Sequence, residues 1–116
     1  MPEVTMRPPI RITQQDVAIR DHALDIVCQV CGDVTPEEVL SKARSRRVSF
    51  ARYLAMSLLS PKAGMTTSKV GMLFDRDHAS VTHAVQVISD IRRLPQAFPK
   101  EIEIINRARE LHTSWI

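Results

Sequence analysis

Residues 66–94 read TTSKVGMLFDRDHASVTHAVQVISDIRRL, and this stretch decides the fold. Thr66 is a good helix N-cap, and Val70, Leu73 and Phe74 follow at the three-to-four spacing of one helical face. Asp75-Arg76 reads as a tight break. A longer helix is expected from about Asp77 to Leu94, with Val81, Ala84, Val85, Ile88 and Ile91 on one stripe. A short helix, a brief turn and a longer second helix suit a helix-turn-helix, whose second helix lays its first residues in the major groove. Here those residues are Arg76, Asp77, His78, Ala79 and Ser80. All are polar or small, so that end is free to approach base edges.

Upstream, a helix is expected from near Val48 to Ser60, stopped by Pro61, with Ala51, Leu54, Ala55, Leu58 and Leu59 turned inward. Residues 41–47, Ser-Lys-Ala-Arg-Ser-Arg-Arg, lack apolar periodicity and read as a basic loop. Thr35-Pro36-Glu37-Glu38 starts a short helix: a cap, a proline at the first position, and acids against the positive helix end. Thr13, with Asp16 three residues on, caps a first helix that carries Ile19, Ala23, Ile26, Val27 and Val30 and stops at Gly32. Residues 1–12 hold three prolines and read as a flexible arm. Downstream, Pro95 and Pro99 flank a loop. A last helix, about 100–115, carries Ile102, Ile105, Ala108, Leu111 and Trp115, with Trp115 as a core plug. The expected fold is therefore all-α: one domain over 13–116, a compact bundle of about six helices around a Trp-repressor-like helix-turn-helix core.

The composition agrees. In 116 residues, 44% hydrophobic and 25% charged, there are three glycines and 4% aromatics, too few for a β-sandwich or barrel. No apolar run reaches the ~18 residues of a membrane helix, and the first residues lack a secretory signal. A cytoplasmic, nucleoid location is the expectation. No phosphate-binding glycine loop supports a nucleotide, and two cysteines cannot fill a four-thiolate zinc site, so no cofactor or metal is expected. Cys28 and Cys31 form a lone Cys-x-x-Cys inside an amphipathic helix and read as core. His83, near the apolar stripe, reads as a hydrogen-bonded packing residue.

The net charge of +3 hides a block pattern. Residues 1–41 carry −4, residues 42–74 carry +7 without one carboxylate, and residues 75–116 balance. A 33-residue stretch of that kind makes one face attractive to a polyanion.

These residues are recognisable together. Asp75-Arg76-Asp77-His78-Ala79-Ser80-Val81-Thr82-His83-Ala84 resembles the Arg-Asp-His-Ser/Thr-Thr-Val-x-His-Ala stretch in the C-terminal DNA-binding domain of the bacterial replication initiator DnaA. Leu40-Ser41-Lys42-x-Arg44-x-Arg46 is similar to that domain's basic loop, and Ala51-Arg52-Tyr53-Leu54-Ala55-Met56 to its Ala-Arg-Gln-Ile-Ala-Met helix. Order and spacing hold from about Ile12 to Leu94. The family's AAA+ ATPase portion has no counterpart in this sequence, which reads as a stand-alone relative.

The resemblance implies roles. Arg44 matches the arginine that enters the minor groove, where narrow A/T-rich DNA concentrates negative potential. Arg76 matches one that reads a base edge in the major groove, Asp77 an acceptor for a cytosine amino group, and His78 and Ala79 residues that touch thymine methyls. Lys42, Arg46, Arg52, Tyr53 and Ser80 match backbone-contacting positions, and Arg47 belongs to the same basic stretch. Five to seven phosphate contacts imply a slope of about −4.5 to −6 for log affinity against log salt. Three departures stand out. Phe74-Asp75-Arg76 replaces Phe-Gly-Gly-Arg, Ala79 replaces a hydroxyl residue, and Ser60-Pro61 replaces Lys-Glu.

The implied function is sequence-preferring binding of double-stranded DNA at a DnaA-box-like or related A/T-rich site, in replication initiation or its control, origin binding or transcription regulation. A rival reading is an adaptor that docks a protein through the acidic first helix (Asp16, Asp21, Asp25) and binds DNA weakly. No nucleophile–base–acid set supports an enzyme.

Overall fold

The computed structural model describes residues 10–60 and 63–115, with side chains through Thr113. The arm's residues 1–9, Pro61 and the side chain of Trp115 lie outside the described residues. Six helices follow in order: α1 Gln14–Cys31, α2 Pro36–Leu40, α3 Arg46–Leu59, α4 Thr67–Leu73, α5 His78–Arg93 and α6 Pro99–Trp115. The described residues include no strand, and the all-α, helix-turn-helix expectation holds.

Local chemistry explains the boundaries. Thr13 and Asp16 exchange hydrogen bonds of 3.0 Å each in a capping box, and Thr35 and Glu38 repeat the device at α2. Gly32 ends α1 at φ 86°, a left-handed conformation that glycine adopts without penalty. Two boundaries move. α3 starts at Arg46, not near Val48, because Ser45 caps it through the Val48 N–H. Pro99 is the first residue of α6 rather than part of the loop before it, a position where proline's missing N–H costs nothing.

α3 is the hub: it packs on α1, α2, α5 and α6. Its Leu54, Leu58, Leu59, Ala51 and Ala55 are fully buried, as are Val81 and Ala84 of α5. Small side chains on both helices let them approach closely, and α3–α5 is the most extensive contact in the fold. Burying a leucine contributes roughly 1.5–3 kcal/mol, so this seam fixes where α5 points. Cys28 and Cys31 are half-buried, packed on the core and unpaired. Burial is the main cause that raises both thiols, Cys31 to about 11.

Two charged ties hold α4 against α1. Lys69 Nζ lies 3.1 Å from the Asp16 carboxylate, and Arg20 Nη1 donates to the Leu73 carbonyl at 2.8 Å. The α4 end is a Schellman motif, with Arg76 N–H donating to the Gly71 carbonyl at 2.7 Å and Asp75 N–H to that of Met72 at 3.3 Å. Asp75 takes the left-handed position, φ 55°, that the DnaA-like pattern gives to glycine. The turn is thus closed by an aspartate carrying backbone strain. Asp75→Gly is expected to stabilise the free protein by about 0.5–1 kcal/mol, read as a higher urea midpoint. The lost ion pair with Lys42, at 3.4 Å between side chains 73% and 92% exposed, offsets little of this.

Candidate nucleic-acid interface

The turn delivers the first turn of α5 to the surface. Asp77 is its N-cap, with Oδ1 accepting the Ser80 N–H at 2.8 Å. That hydrogen bond is the main cause that holds the Asp77 carboxyl below its ordinary range, so it stays ionised at neutral pH. His78 and Ala79 are exposed and Ser80 is half-buried, while Val81 is sealed in the core. One turn on, Thr82 is exposed and donates its hydroxyl to the His78 carbonyl at 3.0 Å.

Opposite this turn lies the irregular segment 41–45. A groove of about 780 Å³ separates the two, with Lys42, Arg44, Ser49 and Tyr53 on one wall and Asp77, Ala79, Ser80 and His83 on the other. Lys42, Arg44, Arg46 and Arg47 are all exposed. Tyr53 and His83 meet edge to face, ring centroids 5.5 Å apart at 88°, and floor the groove. His83 is thus an exposed residue of this surface, packed on the Tyr53 ring, where the sequence reading gave it a hydrogen-bonded packing role.

Two cations of the basic stretch, Arg52 and Lys69, are not on the open surface where the charge count placed them. Arg52 is 5% exposed. Its Nε donates to the Val39 carbonyl at 2.7 Å and its Nη2 to those of Ser41 (2.8 Å), Ala43 (3.0 Å) and Glu38 (3.4 Å). Nε and Nη2 of Arg52 are thus given to backbone carbonyls, and of the guanidinium only Nη1 is left for the phosphate contact expected from the sequence, on a side chain that still lines the groove. Burial, then Arg76 nearby, lowers its pKa. Lys69 is spent on Asp16. Arg47 lies 3.7 Å from Asp33 and 3.8 Å from Glu38, which dilutes its charge while leaving it accessible.

Arg76 also departs from a freely extended base reader. Its Nη2 donates to the Ser41 carbonyl at 2.8 Å and its Nη1 to those of Phe74 (3.2 Å) and Asp75 (3.4 Å). In the acidic first helix, Asp16 is buried in the capping box, so only Asp21 and Asp25 of the three proposed docking acids are exposed. Sequence reasoning missed Ser49 and Thr82. Thr82 was recoverable, since it sits four residues after His78 on the same helical face.

The model of the bacterial DnaA protein helix-turn-helix matches residues 21–88, which take in α2 to α4, most of α1 and most of α5. The chain belongs to this DnaA family. It is 32% identical over 71 residues to the chromosomal replication initiator protein DnaA of Pseudothermotoga lettingae, covering 61% of this chain and 16% of that protein. To the DnaA of Thermosipho africanus it is 32% identical over 77 residues, 66% of this chain and 17% of the relative. To the DnaA of Bacteroides fragilis it is 30% identical over 101 residues, 86% and 21%. The chain thus spans about a fifth or less of the length of these DnaA relatives, and it carries their DNA-binding helix-turn-helix. Among the described residues, no helix is long and apolar enough to cross a membrane and no cluster of His, Cys, Asp and Glu could hold a metal.

Proposed function

We propose that this protein binds double-stranded DNA with sequence preference, the first turn of α5 in the major groove and segment 41–45 in the adjoining minor groove. The observation that supports this most is one groove lined by two unlike elements: Asp77, Ala79 and Ser80 of the α5 start, and Lys42 and Arg44 of the basic segment. Beside the first are exposed His78 and Thr82, above a fully buried Val81. Beside the second are exposed Arg46 and Arg47. His78 and Ala79 offer apolar contact to thymine methyls, and the Asp77 carboxylate can accept from a cytosine amino group while capping the helix. Arg44 reads groove shape, while Lys42, Arg46, Arg47, Tyr53 and Ser80 set register on the backbone. A DnaA-box-like or related A/T-rich duplex is the ligand. Control of replication initiation or of transcription is the role.

With Arg52 and Lys69 committed internally, four exposed cations of the stretch remain among the described residues to neutralise phosphates: Lys42, Arg44, Arg46 and Arg47. The expected slope of log affinity against log salt is then about −3.6, shallower than counting charges implies. A salt titration with a fluorescent box duplex checks it, and a flat titration overturns the proposal. His78→Ala should weaken box binding about tenfold or more and random-duplex binding by less, because a base contact is worth ~1–3 kcal/mol of discrimination. Equal loss on both duplexes overturns sequence reading by α5.

A further inference from the structure

We propose that Arg76 is a positioning residue: its guanidinium clips the basic segment 41–45 onto the helix-turn-helix turn, so that Arg44 and the first turn of α5 meet DNA as one preset unit. This rests on the DNA-binding reading and names the residue that couples its two halves.

Segment 41–45 has no helical hydrogen bonding of its own and must be held from outside. Two side chains do so, and one from the segment answers them. Arg52 reaches it from α3 through the carbonyls of Ser41 and Ala43. Arg76 reaches it from the α4–α5 turn, 35 residues away in sequence, through the same Ser41 carbonyl at 2.8 Å. Lys42 returns the contact, its Nζ 3.2 Å from the Asp75 carbonyl and 3.4 Å from the Asp75 carboxylate. One carbonyl oxygen, with two lone pairs, thus takes charge-assisted bonds from two guanidiniums. Bringing two like charges to one acceptor is unfavourable by itself, so each arginine must gain from its other bonds. Arg52 has three further carbonyls, and Arg76 has those of Phe74 and Asp75.

The consequence for reading DNA is geometric. A bidentate contact to guanine needs two parallel N–H groups on one edge of the fork; Nη1 and Nη2 of Arg76 each hold protein carbonyls, so such a contact has to be shared with, or taken from, the clip. Arg44 stands three residues beyond the clipped carbonyl, so the position of its backbone depends on Arg76. Ordering that segment in advance removes an entropy cost that DNA binding would otherwise carry.

The test compares wild type, Arg76→Ala, Arg44→Ala and the double variant. In the DNA-free protein, trypsin cleavage after Lys42, Arg44, Arg46 and Arg47 is timed by mass spectrometry relative to cleavage after Arg20 in α1. The ratio is expected to rise about tenfold in Arg76→Ala. A ratio that stays put, including one where both rates rise because the whole fold is weakened, overturns the clip. On a box duplex, Arg44→Ala in an Arg76→Ala background should cost at most about a third of its fold-loss in wild type, because a loosened segment already misplaces Arg44. Additive losses overturn positioning. So does a guanine whose replacement by 7-deazaguanine weakens wild type but not Arg76→Ala, which would mark Arg76 as a base reader. If wild type binds no duplex, the proposed function fails, and the cleavage ratio still judges the clip.

Discussion

Arg52→Ala is expected to destabilise the DNA-free protein by about 2–3 kcal/mol, the cost of removing a charged donor from buried carbonyls. The side chain is 5% exposed, and its guanidinium serves four carbonyls: Glu38 and Val39 of α2, then Ser41 and Ala43. α2 is five residues long, too short to persist without tertiary support. Arg52 supplies that support by satisfying carbonyls at its C-terminal end, where a positive charge also meets the negative end of the helix. Truncation leaves those acceptors in a site that the loss of one side chain hydrates only partly. Arg52→Lys should recover less than half of the loss, since an ammonium cannot span acceptors that the planar fork reaches from both Nε and Nη2. Urea unfolding without DNA is the measurement. If Arg52→Ala leaves the midpoint unchanged and only weakens DNA binding, the arginine is a phosphate contact after all.

This contrast marks what the sequence could reveal. Helix starts were legible where a cap and its acidic partner lie three residues apart: Thr13 with Asp16 and Thr35 with Glu38. The burial of Val81 and Ala84 followed from period alone. The start of α3 was missed because Arg46 and Arg47 at a helix N-terminus oppose the helix dipole, while the Ser45 cap that outweighs it lacks an acidic third residue. The fates of Arg52, Lys69 and Arg76 were hidden for a different reason. Their partners are a carboxylate 53 residues away for Lys69 and, for the arginines, mostly backbone carbonyls 9 to 35 residues away. A carbonyl has no residue type, so composition gives it no signature, and a charge count assigns every such cation to the surface. The resemblance to DnaA carried Arg52 to the candidate interface by its position in the motif, without showing which of its donors the backbone holds.

Gly71→Ala should lower the melting temperature by several degrees and reduce preference for the box more than overall DNA affinity. Gly71 lies in α4, buried where the chain folds back into α5. A methyl group there would sit 2.5 Å from the Arg76 carbonyl oxygen, 3.2 Å from the Asp77 carbonyl carbon and 3.3 Å from its oxygen. All three are backbone atoms, so no rotamer change relieves the clash. The turn itself must move. Alanine gains about 1 kcal/mol of helix propensity over glycine, whereas overpacking a rigid site costs about 1–3 kcal/mol or more. With backbone on the far side the upper end applies, and the net loss is about 2 kcal/mol. At about 4 °C per kcal/mol for a domain of this size, the melting point falls by about 8 °C. The displaced atoms belong to Arg76 and Asp77, immediately before the helix that carries His78 and Ala79. A shift there re-aims the first turn of α5 and strains the Arg76 tie to Ser41, but the charges of Lys42, Arg44 and Arg46 stay at the surface, and phosphate attraction demands less exact geometry than a base contact. Phosphate attraction therefore survives better than base discrimination, and the ratio of box to random-duplex affinity should drop about tenfold. A variant that melts at or above wild type, with the ratio intact, would show that α4 and α5 have room to separate and that this glycine does not set the angle of the reading helix.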